Sequence, residues 1–474
     1  MKIAKKTLEY RFSAGELVEK LLGLSAGRPL CLLDSGGVGH LGSHLLIGGL
    51  EPVEVHEITD EDPDQTLRFL DAKIEDSGLF AIFTLAYEFG LKLERIRPRK
   101  KKHSHYEPDV FLALYDCLVV HDYDSGETFL TGRPERFAAL EKLLAAASVP
   151  SFGQKPDKIE FASNFTAAEY LEKIEAVREF IRRGDTYQTN LTRQIRARLP
   201  RDLAPQRIFL NLRKKHPAPF SAFIQRPGST VVSASPERFF KVLGPQSEVL
   251  SPGSQNGSPD RSLGASKSND SRLRTQDSRL IQTSPIKGTR PRGRNFGEDE
   301  QLRRELLGSA KDRAENVMIV DLLRNDLGRV CEFGSVRVEK LCDLEEHPTL
   351  FHLVSTVSGR LRPQIRFSGI VRAVFPCGSI TGAPKIRTMR IIDGLENAAR
   401  GLSMGAIGFA GPGIAENGGR IVCDLSVAIR TMTIRDGEAV FNVGGGIVID
   451  SDPEKEWEET EVKAKALFAA LDSE

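Results

Sequence analysis

The sequence has little net charge, few cysteines and no long apolar run. Its 66 Lys and Arg residues nearly balance 65 Asp and Glu residues, which argues against a nucleic-acid or membrane-surface protein. The six cysteines are scattered without a Cys-x-x-Cys pair, so neither a zinc site nor a disulfide framework is expected. No stretch reaches the roughly 18 apolar residues of a membrane helix, and the charged N-terminus lacks the apolar core of a signal peptide. We therefore expect a cytoplasmic protein with no nucleic-acid or membrane partner.

The order of strand-like and helical patterns favours an α+β fold. Residues 110–132 predict two β-strands around the turn "DYDSG", and residues 134–147 predict a helix. Thr166, followed by Glu169 three residues later and by Gly184, has the spacing of a capped helix and its stop. Because strand-like segments often come as hairpins, we expect antiparallel sheets packed against helices.

The composition divides the chain into two regions. Residues 1–150 mix strand-like runs with polar turns, and a segment with the composition of a linker separates them from a longer region, residues 160–474. Within that longer region, residues 244–277 are rich in Ser, Gly, Asn and Asp. This polar stretch predicts a mobile insertion and not a further domain.

Two glycine-rich motifs do not support nucleotide binding. "GVGHLG" at 37–42 fits the dinucleotide pattern, but Gly48, Gly49 and Pro52 argue against the helix that the pattern requires. "GSITGAPK" at 378–385 resembles a P-loop, but its glycines and lysine have the wrong spacing. Neither motif is expected to bind a phosphate in the way that its pattern suggests.

One lysine stands in an unusual local context. "TSPIKGTRPRG" at 283–293 places Lys287 between Pro285, which fixes its own φ, and Gly288, which permits unusual backbone angles. We interpret this stretch as turn chemistry that fixes the lysine in place. Two roles are open from the residues alone: a solvated loop lysine, or a nucleophile or anion clamp.

Three consecutive glycines interrupt an apolar strand near the C-terminus. Glycine weakens a strand, so Gly444–Gly446 predict either a bulge or close helix contact, or a backbone that a ligand approaches. On the next helix, Glu456 and Glu459 share a face at i, i+3. They are either solvated or are hard oxygen ligands for Mg²⁺.

Further candidate residues carry charge. Glu315 lies on a predicted helix, and Glu237 directly follows a predicted strand. Arg430 lies in the middle of a predicted strand, where a buried cation needs an anionic partner. Together with the glycines, these residues describe a pocket for a small polyanion.

The chain resembles the chorismate-utilising enzymes, which include the large subunits of anthranilate synthase and aminodeoxychorismate synthase. The resemblance spans most of residues 160–474, with a looser match before them. It rests on segments that occur in one order, namely "GDTYQTNLT", "SPERF", "PIKGTRPRG", "AKDRAENVMIVDLLRNDLGRV", "HLVSTV", "FPCGSITGAPKIRTM", "GAIGFAG", "SVAIRT" and "GGGIVIDSDPEKEWEET". It implies an enzyme with two facing antiparallel sheets flanked by helices and the site between the sheets.

The resemblance also implies roles for residues already singled out. Glu315, Glu456 and Glu459 would hold a Mg²⁺ ion that contacts a chorismate carboxylate. The other implied positions are the carboxylate binders Arg430, Lys463, Gly444, Gly445 and Gly446, the ring contacts Thr381 and His352, and the acid/base residue Glu237.

Two positions distinguish branches of the family. Gln188 stands where isochorismate and salicylate synthases carry a water-activating lysine, so water is not the expected nucleophile. Anthranilate synthases typically read Pro-Ile-Ala-Gly-Thr where this chain reads "PIKGT", and Lys287 resembles the nucleophile of aminodeoxychorismate synthases.

The resemblance thus predicts conversion of chorismate and ammonia to 4-amino-4-deoxychorismate, on the route to 4-aminobenzoate and folate. We see no glutaminase or pyridoxal-phosphate lyase region, so a separate glutamine amidotransferase subunit is expected to supply the ammonia. The alternatives are an anthranilate synthase component I and a non-catalytic chorismate or tryptophan sensor. "LLDS" at 32–35 is similar to a tryptophan-binding segment of some relatives and equally fits an ordinary core strand.

Overall fold

A computed structural model describes residues 3–9, 12–38, 43–99, 101, 106–148, 159–244, 279–346, 350–416 and 419–471. Residues 245–277 of the predicted insertion and residues 39–42 of "GVGHLG" lie outside the described part.

Strands occur throughout the described chain as far as Ile447. They are β1 (Ala4–Thr7), β2 (Leu30–Asp34), β3 (Leu45–Leu50), β4 (Glu54–Ile58), β5 (Phe80–Leu85), β6 (Val110–Tyr115), β7 (Cys117–Asp122), β8 (Glu127–Gly132), β9 (Phe161–Ser163), β10 (Gln188–Arg198), β11 (Phe220–Arg226), β12 (Ser229–Ser235), β13 (Arg238–Leu243), β14 (Leu280–Ser284), β15 (Ile286–Pro291), β16 (Arg337–Glu346), β17 (Leu350–Arg360), β18 (Gly382–Ala383), β19 (Ala406–Glu416), β20 (Gly419–Val427), β21 (Thr431–Arg435) and β22 (Glu438–Ile447).

Helices separate many of these strands. They are α1 (Ala14–Leu24), α2 (Pro63–Asp71), α3 (Tyr87–Leu93), α4 (Pro134–Ala146), α5 (Ala167–Arg182), α6 (Pro205–Lys215), α7 (Phe296–Gly308), α8 (Ala310–Gly328), α9 (Phe367–Val374), α10 (Lys385–Leu395) and α11 (Pro453–Leu471). A π-helical turn follows α2 at Ala72–Asp76, and a 3₁₀ turn precedes β18 at Gly378–Ile380. None of the described helices is both long enough and apolar enough to cross a lipid bilayer.

The strands form two antiparallel sheets, in agreement with the expected fold. The first sheet has 12 strands in the order β1-β8-β7-β3-β2-β11-β12-β21-β22-β10-β18, with β9 beside β10. The second sheet has 10 strands in the order β15-β17-β14-β13-β20-β19-β5-β6-β4, with β16 beside β17. Neighbouring strands pair antiparallel in both sheets.

Alternation of buried side chains along the strands explains why the sheets face each other. On β2, Cys31 belongs to an apolar cluster shared with Phe80 and Ile82 of the second sheet. Leu30 and Leu32 point the other way and pack with α1, α4, α6 and α11. A third cluster packs α2, α3, α8, α9 and α10 on the outer face of the second sheet. The result is a helix–sheet–sheet–helix arrangement.

Strands from residues 1–150 lie inside both sheets. β2 pairs with β11 through Cys31 and Ile224, and β5 pairs with β19 through Leu85 and Ala406. The two regions distinguished by composition therefore share their hydrogen-bonded sheets.

Two predicted elements are divided in the structure. Residues 110–132 form three strands and not two, because the chain passes at Asp116 from β6 in the second sheet to β7 in the first. The residues from Gly297 to Gly328, whose helical pattern predicts one long stretch including Glu315, form two helices, α7 and α8. Ser309 is extended (φ −69°, ψ 102°), and its side chain accepts a hydrogen bond from Asp312 N and caps α8.

Other predicted elements are confirmed. The side chain of Thr166 accepts a hydrogen bond from Glu169 N and forms a capping box at the start of α5. The expected break after "GVGHLG" is confirmed as well, since residues 45–50 form strand β3 and no helix.

Candidate active site

Lys287 lies in a strand and not in the turn that the sequence suggested. β14 and β15 flank Pro285 and both pair with β17, and the register shifts between Ile286 and Thr289. Lys287 and Gly288 are the residues in this bulge, and Gly288 has φ 88°, a left-handed angle that other residues rarely adopt. The bulge redirects Lys287 from the regular alternation of the strand and holds its backbone firmly.

The amine of Lys287 reaches the glycines of the first sheet. A Cβ atom built on Gly446 would lie 3.4 Å from Lys287 Nζ and would overlap the side-chain amide of Gln188. Gln188 is buried, and its Oε1 has no hydrogen-bond partner among the described residues. Only a glycine at position 446 therefore leaves space for the lysine and the glutamine together.

Glu237 is a buried carboxyl group in the electrostatic field of Lys287. Burial raises the pKa of Glu237 to about 7 from an ordinary value of 4.5, against the opposing effects of a hydrogen bond with Ser379 and the nearby Lys287 charge. Its Oε1 has no hydrogen-bond partner among the described residues. A carboxyl group with this pKa can donate or accept a proton near neutral pH.

On the other face of β22, Gly445 approaches the carboxylates of α11. A Cβ atom at Gly445 would lie 3.0 Å from Glu456 Oε2 and 3.8 Å from Glu459 Oε1. Lys463 Nζ donates to Gly444 O at 2.9 Å and pairs with Glu459 at 2.6 Å. Burial acts to raise the pKa of Glu459, but Lys463, Lys311 and Lys287 together outweigh it and the pKa lies below its ordinary value. Gly445 therefore contacts helix α11 closely, while Gly446 leaves space beside the backbone for Gln188 and Lys287.

Helix α8 brings further charges to the same place. Lys311 Nζ lies 3.4 Å from the Oε1 atom of buried Glu456, which also accepts a 2.7 Å hydrogen bond from Ser451. Burial raises the pKa of Glu315, with Lys287 and Lys311 acting in the opposite direction. Lysines and glutamates from α8, α11 and β15 therefore share one charged cluster.

These carboxylates have the donor type that Mg²⁺ prefers, namely hard oxygen. In the described ranges, no three His, Cys, Asp or Glu side chains are grouped closely enough to hold a metal as they stand. Lys311 and Lys463 neutralise Glu456 and Glu459, so a cation that bound here would compete with two ammonium groups.

Arg430 lies apart from this cluster. The prediction that it lies in the middle of a strand is wrong, because it lies in the bend between β20 and β21 with φ 49°. Its carbonyl accepts from Ala234 N, and its side chain forms no ion pair with any described residue. Burial lowers the pKa of Arg430, and burial together with the Arg430 charge lowers the pKa of His216. A half-buried cation without a carboxylate partner is suited to an anionic ligand. No direct contact joins it to Lys287, Glu315 or Lys463.

The two predicted ring contacts lie on different elements, one on β17 and one in the turn before β18. His352 on β17 is opposite Thr289 in the strand register, and its Nδ1 lies 2.8 Å from Thr289 Oγ1. Thr381 is fully buried, and its hydroxyl donates to Cys377 O at 2.9 Å. The carbonyl of Thr381 accepts from Asn190 N, which ties this loop to β10.

Two charged or polar neighbours of the site did not emerge from the sequence. Lys311 precedes Glu315 by four residues on α8, a spacing that places both on one helix face and could have indicated it. Ser379 contacts Glu237 from a loop 142 residues away in sequence, and no local pattern indicates such a contact.

Comparison with known proteins identifies the family of the chain. A family model described as chorismate binding enzyme matches residues 47–250 and 259–469. Aminodeoxychorismate synthase from Streptomyces pristinaespiralis is 37% identical over 83% of this chain and 52% of its own length. Aminodeoxychorismate synthase component 1 from Escherichia coli is 36% identical over 83% of this chain and 77% of its own. Anthranilate synthase component 1 from Aquifex aeolicus is 34% identical over 77% and 68%, respectively.

The first of these relatives is much longer than its match, since this chain spans about half of its length. Among solved structures, anthranilate synthase component I from Streptococcus pneumoniae superposes with a TM-score of 0.71 at 27% identity and covers 91% of this chain and 93% of its own. A menaquinone-specific isochorismate synthase from Escherichia coli shares the fold, with a TM-score of 0.70 at 16% identity over 99% of this chain and 94% of its own. With the sheet architecture, the ordered motifs and the family match all in agreement, the chain belongs to the chorismate binding enzymes.

Proposed function

We propose that the chain is an aminodeoxychorismate synthase component I, which converts chorismate and ammonia to 4-amino-4-deoxychorismate. The observation that carries this proposal is the amine of Lys287, which the bulge in β15 holds against Gly446 and in the field of Glu237. Relatives of that name, at 36% and 37% identity, support it. The product would lead to 4-aminobenzoate and folate.

Lys287 would act as a covalent nucleophile. An ammonium group must lose a proton before it can attack, and a neighbouring carboxylate is a suitable acceptor. The amine then forms a bond to ring carbon 2, the two ring double bonds shift, and the bond from carbon 4 to its hydroxyl breaks. Glu237, in its protonated form, would give its proton to the departing hydroxyl so that water leaves.

Ammonia would complete the reaction. It attacks carbon 4 of the adduct, the double bonds shift back, and the bond from carbon 2 to Lys287 breaks. Lysine regains its proton, and the net change is chorismate plus ammonia giving 4-amino-4-deoxychorismate plus water. The unpartnered Oε1 of Gln188, beside Lys287, would accept a hydrogen bond from ammonia.

The substrate's carboxylates would meet cations and backbone donors. We propose that Arg430, Lys463 and the backbone of Gly444–Gly446 bind them, and that His352 and Thr381 contact the ring. The lack of an acidic partner for Arg430 among the described residues supports this assignment.

We propose Mg²⁺ as the cofactor, with Glu315, Glu456 and Glu459 as its ligands. When bound, the ion would neutralise charge on these glutamates and on a substrate carboxylate. Glu459→Gln should weaken Mg²⁺ binding in calorimetry and abolish turnover while the melting temperature stays close to that of the wild type. Unchanged Mg²⁺ binding in this variant would exclude Glu459 as a ligand.

We also propose a cytoplasmic enzyme that receives ammonia from a separate glutamine amidotransferase subunit. The six cysteines are free thiols, as expected in a reducing compartment. Ammonium salt alone should support turnover at high concentration. Glutamine should support it only after the amidotransferase subunit is added.

The decisive experiment identifies the product. Purified protein with chorismate, Mg²⁺ and ammonium chloride should form 4-amino-4-deoxychorismate, as seen by chromatography and mass spectrometry. An anthranilate synthase is the second candidate, because relatives of that name also match, and its product would be anthranilate. Binding of chorismate without any turnover would instead indicate a sensor.

A further inference from the structure

Arg400 heads the largest fully buried side chains of the described chain. It lies in the loop between α10 and β19 and forms a two-pronged ion pair with Glu396. Nε donates to Glu396 Oε2 at 2.9 Å, and Nη2 donates to Glu396 Oε1 at 2.7 Å. Both side chains are at most 3% exposed.

Two further N–H groups of this guanidinium bind the backbone of two segments that build the active site. Nη1 donates to Ile380 O at 2.9 Å, one residue before Thr381. Nη2 also donates to Asn190 O at 2.7 Å. Asn190 lies opposite Gly446 in the strand register and two residues after Gln188. One side chain therefore connects the Thr381 loop with the strand that carries Gln188.

Glu396 extends the same connection along β10. Its Oε1 accepts from Thr192 N at 2.8 Å and from Thr192 Oγ1 at 3.0 Å. Thr192 lies opposite Gly444. The ion pair thus fixes β10 behind both ends of the Gly444–Gly446 segment.

The ion pair is itself anchored to the N-terminal region. Glu88 on α3 accepts hydrogen bonds from the backbone N–H groups of Arg400 and Gly401 at 2.8 and 2.9 Å. The guanidinium also lies 4.4 Å from the centre of the Tyr87 ring. These contacts fix the backbone of Arg400 and the position of its guanidinium group.

A buried ion pair is a costly way to stabilise a fold, since apolar side chains of similar volume usually do so at least as well. Its advantage here is geometry, because the planar guanidinium fork fixes several acceptors in defined directions, which an ammonium group does not. We propose that Arg400 and Glu396 are positioning residues that hold the Thr381 loop and β10 in the arrangement required for reaction at Lys287. This inference rests on the proposed function.

The test compares two buried arginines. Arg226 also forms a buried pair, with Glu107, and donates to Ser229 Oγ at 3.1 Å. It is the last residue of β11 and lies opposite Ser229, the first residue of β12, whereas Glu237 follows the other end of β12. Arg400→Lys and Arg226→Lys should both lower the melting temperature. Only Arg400→Lys should lower kcat for chorismate consumption, by roughly ten- to a hundredfold, measured at a temperature where both variants are folded.

The split between binding and turnover separates positioning from a general loss of structure. Calorimetry should show that Arg400→Lys binds chorismate with a dissociation constant within about fivefold of the wild type, because the groups proposed to bind its carboxylates remain. The inference is overturned if Arg400→Lys keeps the wild-type kcat, or if Arg226→Lys loses kcat to the same extent.

A milder pair of variants covers the case in which Arg400→Lys does not fold. Thr192→Val removes one hydrogen bond to Glu396, and Thr433→Val removes one to Glu107, the partner of Arg226. Thr192→Val should lower kcat by about threefold or more, while Thr433→Val should not. Equal kcat values in the two would overturn the inference.

Product identity tests the proposed function separately. If the wild type forms anthranilate, the proposed function is wrong, and the contrast between the two sets of variants still decides the role of Arg400. Consumption of chorismate is followed for this reason, whichever product appears.

Discussion

At the scale of single residues, Lys287 combines a fixed backbone with a side chain that reaches another sheet. Pro285 is buried and its carbonyl accepts a hydrogen bond from Ser355 N, so the chain is fixed just before the bulge. The amine then lies against Gly446, on the first sheet. Such an arrangement orders a flexible side chain before substrate arrives, which lowers the entropic cost of attack.

Replacement of Lys287 gives the most direct prediction. Wild-type protein incubated with chorismate and Mg²⁺ but no ammonia should gain the mass of chorismate minus water, because the adduct cannot be resolved. Lys287→Ala should show no added mass and should lose 4-amino-4-deoxychorismate formation. Any weak amination that remains should be direct attack of ammonia at carbon 2, as in the synthesis of anthranilate. Intact-protein mass spectrometry measures the adduct, with the exposed Lys455→Ala as a control that keeps it. Undiminished product formation by Lys287→Ala would end the covalent mechanism.

Glu237 links activity and stability to pH. Its pKa of about 7 in the folded protein exceeds its ordinary value of 4.5, so the folded state binds the proton more tightly than the unfolded state. Stability from this group is therefore full below pH 4.5 and is lost as the pH rises through 7. Because Glu237 acts as a proton donor, the turnover rate should also decline as the pH rises above 7.

Glu237→Gln should separate these effects. The neutral amide removes the penalty of a buried charge, so the variant should be more stable than the wild type at pH 8, by up to about 3 kcal/mol, and similar at pH 4.5. It should also lose turnover. Denaturant unfolding at the two pH values checks the first point, and a variant less stable than the wild type at pH 8 would contradict the assigned burial.

Lys287 also shows what the residues alone could indicate. The proline and glycine around it indicated a constrained lysine, but they suggested a turn. A bulge was not predictable, because it depends on the register of β15 with β17, whose paired residues lie about 60 to 70 positions later. Likewise, Glu456 was identified as a candidate ligand, but its burial depends on packing of α11 against β22.

At the scale of elements, the end of β22 separates two functions of glycine. At Gly446 an added methyl group would overlap only the end of the Gln188 side chain, which can move away. At Gly444 it would overlap the backbone carbonyl of Leu191, which cannot. The first glycine thus leaves space for reacting groups, and the second allows the strands to pair.

Two alanine variants test this distinction. Gly446→Ala should keep a melting temperature close to that of the wild type but lose most turnover, because Gln188 and Lys287 are displaced. Gly444→Ala should be destabilised, by roughly 2 to 4 kcal/mol, because the strand pairing must distort. Thermal unfolding and chorismate consumption check both. The reverse pattern would show that the two glycines have been assigned to the wrong roles.

The ion pair between Lys311 on α8 and Glu456 on α11 joins two helices at the proposed metal ligands. If Mg²⁺ binds there, Lys311→Met should tighten its binding by about two- to fivefold, because a competing, partly exposed cation is removed. Titration calorimetry with MgCl₂ measures the change. Lys455→Met is the control, because it also removes one lysine charge but does not belong to the ion pair. Weaker Mg²⁺ binding by Lys311→Met would contradict competition.

At the scale of the whole molecule, the N-terminal region completes both sheets. Without residues 1–150, β11 would lose β2 and β19 would lose β5, and two central strands would become open edges. We therefore expect the fragment 160–474 to be insoluble when expressed alone, since exposed apolar edges aggregate. Co-expression with residues 1–150 should restore some soluble protein. A soluble, cooperatively folding fragment would show that the two regions are independent after all.

The sequence predicted this architecture only in outline. Hairpin-like spacing correctly indicated antiparallel sheets, because turns between neighbouring strands are local. It could not indicate that residues 110–115 and 117–122 belong to different sheets, because both runs are mainly apolar and their partners, β5 and β3, lie far from them in the chain.

The pairing of β5 with β19 has a consequence for synthesis on the ribosome. β5 ends at Leu85, but its partner begins at Ala406, some 320 residues later. At elongation rates of roughly 5 to 20 residues per second, one edge of β5 waits for about 15 to 60 seconds before its partner exists. Folding is therefore coupled to completion of the chain, and the nascent protein should depend on chaperones during this interval more than a protein built from local contacts would.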